Sequence, residues 1–280
     1  MNKNIIEILK KELGQGRVLS VSENALHSTF IYETKQQKYF IKIRPNGKFE
    51  SEAKGLIEIL NTKTIQVPKP IVWDDNFIAL EYVDLYPHSQ KSMKALGTNL
   101  ALLHQSERSH AFGFSFDNTI GTTPQINSWR DQWATFFIEE RLQFQLNLIK
   151  EKYGDEELFL KSQPFLKTFS SLLTQVPVTS ALLHGDLWHG NTGQSKNGEP
   201  IVFDPAPYFG HNEAEFGIIE MFGGFDKSFY SAYFKVYPKE HGFDERVKGY
   251  QLYHTLNHYY IFGSSYRTSC MEIISSPLSP

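Results

Sequence analysis

Residues 182–191 read LLHGDLWHGN, and the reading of this stretch decides the fold. An apolar pair, Leu182–Leu183, is followed at once by His184, Asp186, Trp188 and Asn191: an imidazole, a carboxylate, an indole and an amide. Either this is a polar turn after a buried strand, or it is the catalytic loop of a phosphoryl-transfer enzyme. The next segment bears on the choice. Residues 192–203, TGQSKNGEPIVF, contain Asn197–Gly198, a strong hairpin-turn signal, and the run PIVF delivers Asp204. An Asp, an Asn five positions on, and a second Asp at the end of the following hairpin have the spacing of a kinase catalytic loop with its metal-binding carboxylate.

The chemistry explains the residue types. Moving a γ-phosphoryl group requires orientation of the attacking hydroxyl and neutralisation of the phosphate charge. A carboxylate such as Asp186 can accept the hydroxyl proton. Asn191 and Asp204 are hard oxygen donors suited to Mg²⁺, which keeps several waters and needs few protein ligands.

Earlier in the chain, Lys42 sits inside an apolar strand-like run, YFIKI (39–43). A lone strand lysine is as often an edge residue with a solvated ammonium group. A lysine that pairs with a helical glutamate and points at nucleotide phosphates accounts for it equally. The helix FESEAKGLIEILN (49–61) supplies the glutamate, but periodicity leaves Glu50 and Glu52 open, since both lie ~80° from the centre of its apolar face. The strand end LEYVD (80–84) is then the hinge, whose backbone groups can hydrogen-bond adenine.

The remaining patterns give the architecture. Strands are expected at 17–22, 28–34, 38–43 and 76–84, with a helix at the start, and Pro68 and Pro70 exclude helix from VPKPIVWDD. From Ser92 the pattern is helical: 92–105, a long helix over 128–153, another over 158–175, and helices from Glu213 to Phe262. A loop rich in Gly, Pro and Asn covers 112–127. The fold class expected is α+β, two-lobed and protein-kinase-like. Residues 1–84 form a nucleotide-binding lobe and 85–280 a mainly helical catalytic and substrate-binding lobe.

Composition excludes some functions. Of 280 residues 40% are apolar, enough for a full core, and the net charge of −3 lacks the basic excess of a nucleic-acid binder. A single cysteine, Cys270, precludes an internal disulfide. With no signal-peptide core and no membrane-length apolar run, a cytoplasmic protein is expected. His254 and His258 lie four apart without an acid between them, amid tyrosines, and read as packing residues.

Taken together, these segments resemble the fructosamine kinases, or ketosamine-3-kinases, relatives of the aminoglycoside and choline kinases. The resemblance spans nearly the whole chain and is carried by YFIK (39–42), FESEAKGL (49–56), LEYVDL (80–85), LGTNLALLH (96–104), TPQINSW (123–129), LLHGDLWHGN and FDPAPYFGH (203–211). It implies ATP-dependent phosphorylation of the 3-hydroxyl of a ketosamine, free or protein-bound, whose product then breaks down to release the amine. It implies Asp186 as base, Asn191 and Asp204 as Mg²⁺ ligands, Lys42 on the phosphates with Glu52 as its partner, and Tyr82, Val83 and Asp84 at adenine. Trp188 becomes a stacking platform for the ketosamine, with His189 as a further substrate contact. Three positions depart from the family pattern. The nucleotide turn, SVSENALHSTF, has no glycine, which predicts weaker ATP binding or a turn that orders with substrate. Asn212 and Glu215 stand where the family has Arg and Asp, and substrate choice is expected to differ there. Two rival readings are a kinase of the same fold acting on an aminoglycoside or amino-alcohol, and a nucleotide-binding protein without turnover.

Overall fold

Alternation along the first strands assigns each residue a face. In the computed structural model, which describes residues 3–23, 28–45, 47, 49–106 and 109–278, helix α1 (Lys3–Leu13) precedes β1 (Gly16–Glu23), β2 (Ser28–Thr34) and β3 (Lys38–Ile43). Helix α2 (Phe49–Thr62), β4 (Pro70–Trp73) and β5 (Phe77–Glu81) follow. The five strands form one antiparallel sheet in the order β1-β2-β3-β5-β4. One face carries Phe30, Tyr32, Tyr39, Ile41, Phe77 and Ala79, covered by Ile5 and Leu9 of α1. On the other face Ile78 and Leu80 pack with Phe49, Ala53, Leu56 and Ile59 of α2. Each large apolar side chain so buried contributes roughly 1.5–3 kcal/mol. Lys42 belongs to this second face and pairs with Thr29 on one side and Ile78 on the other. It is therefore on a central strand, which removes the edge-residue reading.

The rest of the chain is mainly helical. It comprises α3 (Gln90–Ser106), the hairpin β6 (Asn118–Ile120)–β7 (Thr123–Gln125), α4 (Trp133–Phe137), α5 (Phe144–Tyr153) and α6 (Glu156–Leu173). Then come β8 (Ser180–Leu183), β9 (Thr192–Gln194), β10 (Pro200–Val202), β11 (Tyr208–His211), α7 (Phe216–Phe222), α8 (Lys227–Val236), α9 (Phe243–Phe262) and α10 (Arg267–Ser275). No described helix is long and apolar enough to cross a membrane. Strands β8 and β11 pair antiparallel, as do β9 and β10, and the two pairs flank the segment that decided the reading.

Three local expectations need correction, and a fourth is met in a longer form. The long helix begins at Trp133 rather than 128, because Arg130 exchanges backbone hydrogen bonds with Phe112 (2.8 and 2.9 Å) and holds that stretch extended. It also contains a π-helical turn, Ile138–Gln143, that turns Arg141 inward with its guanidinium 4.2 Å from the Tyr208 ring centroid. The hairpin expected at Asn197–Gly198 is present, with a connection longer than that pair. Only Gly198 takes a left-handed φ, 83°, and five residues, Ser195–Glu199, close the hairpin through Gly198 N–H to Ser195 O at 2.9 Å. Finally, 112–127 is no plain loop, since it holds β6 and β7.

Candidate active site

Strand β8 ends at Leu183, and the chain turns sharply through Gly185 at φ 81°. A Cβ there would sit 2.0 Å from the Ala206 carbonyl oxygen, so only glycine fits. His184 is fully buried. Its Nε2 faces the Phe203 carbonyl at 3.1 Å and its Nδ1 accepts from the Asp186 N–H at 3.3 Å. A carbonyl can only accept, so the ring is the neutral tautomer protonated on Nε2. Burial, outweighing the nearby Glu215 carboxylate, pushes its pKa below the usual value. His184 therefore braces the loop and has no lone pair left for the substrate.

The loop is held from beneath by Glu215, which accepts from the His184 N–H at 2.8 Å and the Gly185 N–H at 3.0 Å. Burial alone would raise Glu215, but His104, the His184 imidazole and these donors hold it below its ordinary value. Behind it, His104 Nε2 lies 3.5 Å from the Glu215 carboxylate. His104 Nδ1 shares a 2.7 Å hydrogen bond with the Tyr233 hydroxyl, which accepts from Asn212 at 3.0 Å. Asn212 and Glu215, the two positions expected to tune substrate choice, are buried beneath the loop and line neither of the cavities described below.

Above the loop the charged groups converge. Lys42 Nζ lies 2.8 Å from Glu52 Oε1 and 2.8 Å from Asp204 Oδ1. Glu50 instead makes an exposed pair with Lys54 at 2.8 Å, which settles the choice that periodicity left open. Burial pushes the Lys42 ammonium down, but Asp204 and Glu52 outweigh it and hold it above its ordinary value, so it stays charged. Asp204 takes a left-handed φ of 57°, a conformation that Asp adopts more readily than most residues. Asn191 donates its amide to the Asp186 carbonyl at 2.9 Å and to Asp186 Oδ2 at 3.2 Å. Burial, then the negative charge of Asp204 and Glu215, pushes the Asp186 carboxyl well above the usual carboxylate range, against the pull of Asn191 and Lys42.

Lys42, Glu52, Asp186, Trp188, Asn191 and Asp204 all line one cavity of about 370 Å³. A second cavity of about 320 Å³ shares Lys42, Phe203 and Asp204 with it and reaches Tyr82 and Val83 through Phe40, Leu80 and Leu85. Asp84 does not line it. That carboxylate is exposed and accepts from the Tyr82 hydroxyl at 3.0 Å. His189 is exposed at the rim, its ring centroid 5.1 Å from that of Trp188, and lines neither cavity. In the glycine-free turn, Asn24–His27 lie outside the described residues.

The donor set fits Mg²⁺. Asn191 commits its amide nitrogen to Asp186, leaving its oxygen as the atom to offer a cation, and Asp204 adds a carboxylate on the same cavity wall. Three acidic side chains, Glu52, Asp186 and Asp204, against Lys42 and Arg44 also leave an excess of acidic groups for a cation to offset. Such a site supplies two protein oxygens and leaves the other positions to water and phosphate, as Mg²⁺ favours.

Several contributors are not among the residues expected from the sequence. Asn118 lines the larger cavity and donates to the Pro207 carbonyl at 2.8 Å, while Gln125 donates to the Ala206 carbonyl at 3.0 Å and accepts from the Tyr253 hydroxyl at 2.7 Å. The TPQINSW stretch thus fixes the backbone that follows Asp204. Arg44 also lines the cavity, and its signal was its spacing, two residues past Lys42 on one strand face.

Comparison with known proteins places the whole chain in one family. The family model described as fructosamine kinase matches residues 1–279. The chain is 41% identical to a chloroplastic protein-ribulosamine 3-kinase of Arabidopsis thaliana, over 94% of this chain and 82% of that one. It is 36% identical to the ketosamine-3-kinase of Mus musculus, covering 95% and 97% of the two chains. Among solved structures, the choline kinase LicA of Streptococcus pneumoniae superposes with a TM-score of 0.67 at 16% identity, over 98% of this chain and 99% of that one, a likeness of fold.

Proposed function

The chain belongs to the fructosamine kinase family, and from that premise we propose that it transfers the terminal phosphoryl group of ATP to the 3-hydroxyl of a ketosamine. The observation that carries the reading is the shared cavity, where a carboxylate of raised proton affinity lies among an ammonium group and two metal-type oxygen donors. We assign residues 1–84 to the nucleotide lobe and 85–280 to the acceptor lobe, with the cavity between them. Adenine lies in the smaller cavity against Tyr82 and Val83, and Asp84 acts there only by steadying the Tyr82 hydroxyl.

Each residue then has a task. Asp186 accepts the proton of the 3-hydroxyl as its oxygen forms a bond to the γ-phosphorus, while the bond from that phosphorus to the β–γ bridging oxygen breaks and ADP leaves. A carboxylate of raised proton affinity suits this transfer near neutral pH. Lys42, fixed by Glu52, holds phosphate charge; Asn191 and Asp204 hold Mg²⁺, which neutralises charge on the phosphates when bound. Trp188 offers its ring to the apolar face of the sugar, and His189 stands at the rim on the acceptor side. Phosphorylation at this hydroxyl destabilises the adduct and releases the amine, a deglycation step.

The ribulosamine and ketosamine kinases named above support this acceptor class. The choline kinase shares the fold at an identity that carries no information on the acceptor, so an amino-alcohol, like an aminoglycoside, has no observation favouring it. The test is ADP release on a panel of ribulosamines, fructosamines, aminoglycosides and choline. Turnover confined to ketosamines, with phosphate on the 3-oxygen by NMR, is expected. Turnover on aminoglycosides or choline alone, or none on any acceptor despite ATP binding, would overturn the reading.

A further inference from the structure

Two residues past Lys42 the same strand carries a second cation into the larger cavity. Arg44 extends the β3–β5 ladder, its N–H donating to the Asn76 carbonyl at 3.0 Å, so alternation places its side chain on the face that Lys42 occupies. The guanidinium is part-buried. It donates to the Gly121 carbonyl at 3.2 Å and the Gly47 carbonyl at 2.9 Å, and lies 5.7 Å from the Phe49 ring centroid. These described contacts are to neutral groups and use two of five N–H donors. Lys42, by contrast, already faces two carboxylates.

Charge and position give Arg44 a role. The cavity wall carries Lys42 and Arg44 against Glu52, Asp186 and Asp204, a net negative lining for a nucleotide that is itself a polyanion. With Lys42 in direct contact with Glu52 and Asp204, Arg44 is the cation on that wall whose described hydrogen bonds all go to neutral groups, its charge acting on Glu52 only at longer range. Tyr39 pairs with Glu81, next to Tyr82, so β3 starts beside the hinge and runs away from it. At about 3.3 Å per residue, Arg44 lies ~7 Å farther from the hinge than Lys42. Given adenine at the hinge, which rests on the proposed function, the inner phosphates fall beside Lys42 and the terminal one falls beyond it.

We infer that Arg44 binds the terminal phosphoryl group of ATP and offsets the charge on it as it moves to the acceptor. A planar guanidinium with N–H donors beyond those two bonds matches phosphate oxygens bidentately, where a point charge would not. The nucleotide turn, without glycine between Ser20 and Phe30, is poorly suited to close backbone approach, and Arg44 supplies from β3 what such a turn does not.

Calorimetric titration with Mg–ATP and Mg–ADP tests this on the wild-type chain, Arg44→Gln and Arg44→Lys, with thermal midpoints measured alongside. Arg44→Gln is expected to weaken ATP more than tenfold and ADP less than threefold, with kcat reduced; Arg44→Lys is expected to fall between. If Arg44 only latches the turn at Gly121, affinity for both nucleotides falls together with the thermal midpoint, and the inference is overturned. It is equally overturned if ATP affinity is unchanged. If Arg44→Gln fails to fold, Arg44→Lys decides: a loss on ATP alone supports the role and an equal loss on both refutes it. Failure of the wild-type chain to bind ATP would instead count against the proposed function.

Discussion

Glu215 shows how a residue far from the substrate sets the geometry of one that touches it. Its two oxygens accept from the consecutive N–H groups of His184 and Gly185, immediately before Asp186. Glu215→Gln turns an amide N–H₂ toward one of those donors and leaves it buried and unsatisfied, at a cost on the order of 2–3 kcal/mol. The expected outcome is a lower thermal midpoint together with a lower kcat, and near-normal ATP affinity by titration. An unchanged midpoint would show that the loop does not depend on this carboxylate. That Asp186, Asn191 and Asp204 come together was legible because local spacing and the hairpin between them set it. His104 and Tyr233 were not, because what makes them matter is a contact with Glu215 or with each other across 111 and 129 positions, which no periodicity encodes.

At the scale of elements, the support beneath the catalytic loop depends on how closely α3 and α8 approach. Gly97 on α3 faces the backbone of Phe229 on α8, and a Cβ there would lie 2.2 Å from the Phe229 carbonyl oxygen. Backbone cannot yield as a flexible side chain can, so Gly97→Ala forces the helices apart. His104 on α3 and Tyr233 on α8 then separate as well. Overpacking of this kind costs roughly 1–3 kcal/mol, more than the modest gain in helix propensity. The measurement is chemical denaturation of the variant, and a stability equal to or above wild type would contradict the close approach. Element identity was largely readable from hydrophobic period and proline placement. The late start of α4 and the π turn were not, because they arise from the pairing of Arg130 with Phe112 and the inward turn of Arg141, both tertiary contacts.

At the scale of the whole molecule, buried imidazoles set the response to acid. Burial, then Arg246 and His104, pushes His211 down to about 3; burial, then His258 and Arg141, pushes His254 down to about 3. Both are neutral in the folded protein and regain an ordinary pKa of about 6.5 on unfolding. The unfolded chain therefore binds more protons between these values, and stability falls as pH drops from about 6.5 toward 3, by up to ~1.4 kcal/mol per pH unit for each group. Thermal midpoints should decline between pH 7 and 5, less steeply than the histidines alone would give because the raised Asp186 carboxyl takes up its proton more readily in the folded chain, and His254→Asn should lessen the slope if the variant folds. A midpoint independent of pH in that window would contradict this assignment.

The central claim is that Asp186 takes the acceptor proton in a cavity where nucleotide and ketosamine meet. Its most direct test is the steady-state turnover of Asp186→Asn on a ribulosamine, with Mg–ATP affinity measured by titration on the same preparation. The expected result is that kcat falls by about a thousandfold or more while ATP affinity stays within a few-fold of wild type. Turnover within tenfold of wild type, at unchanged ATP affinity, would show that the proton goes elsewhere and that the site works by another arrangement.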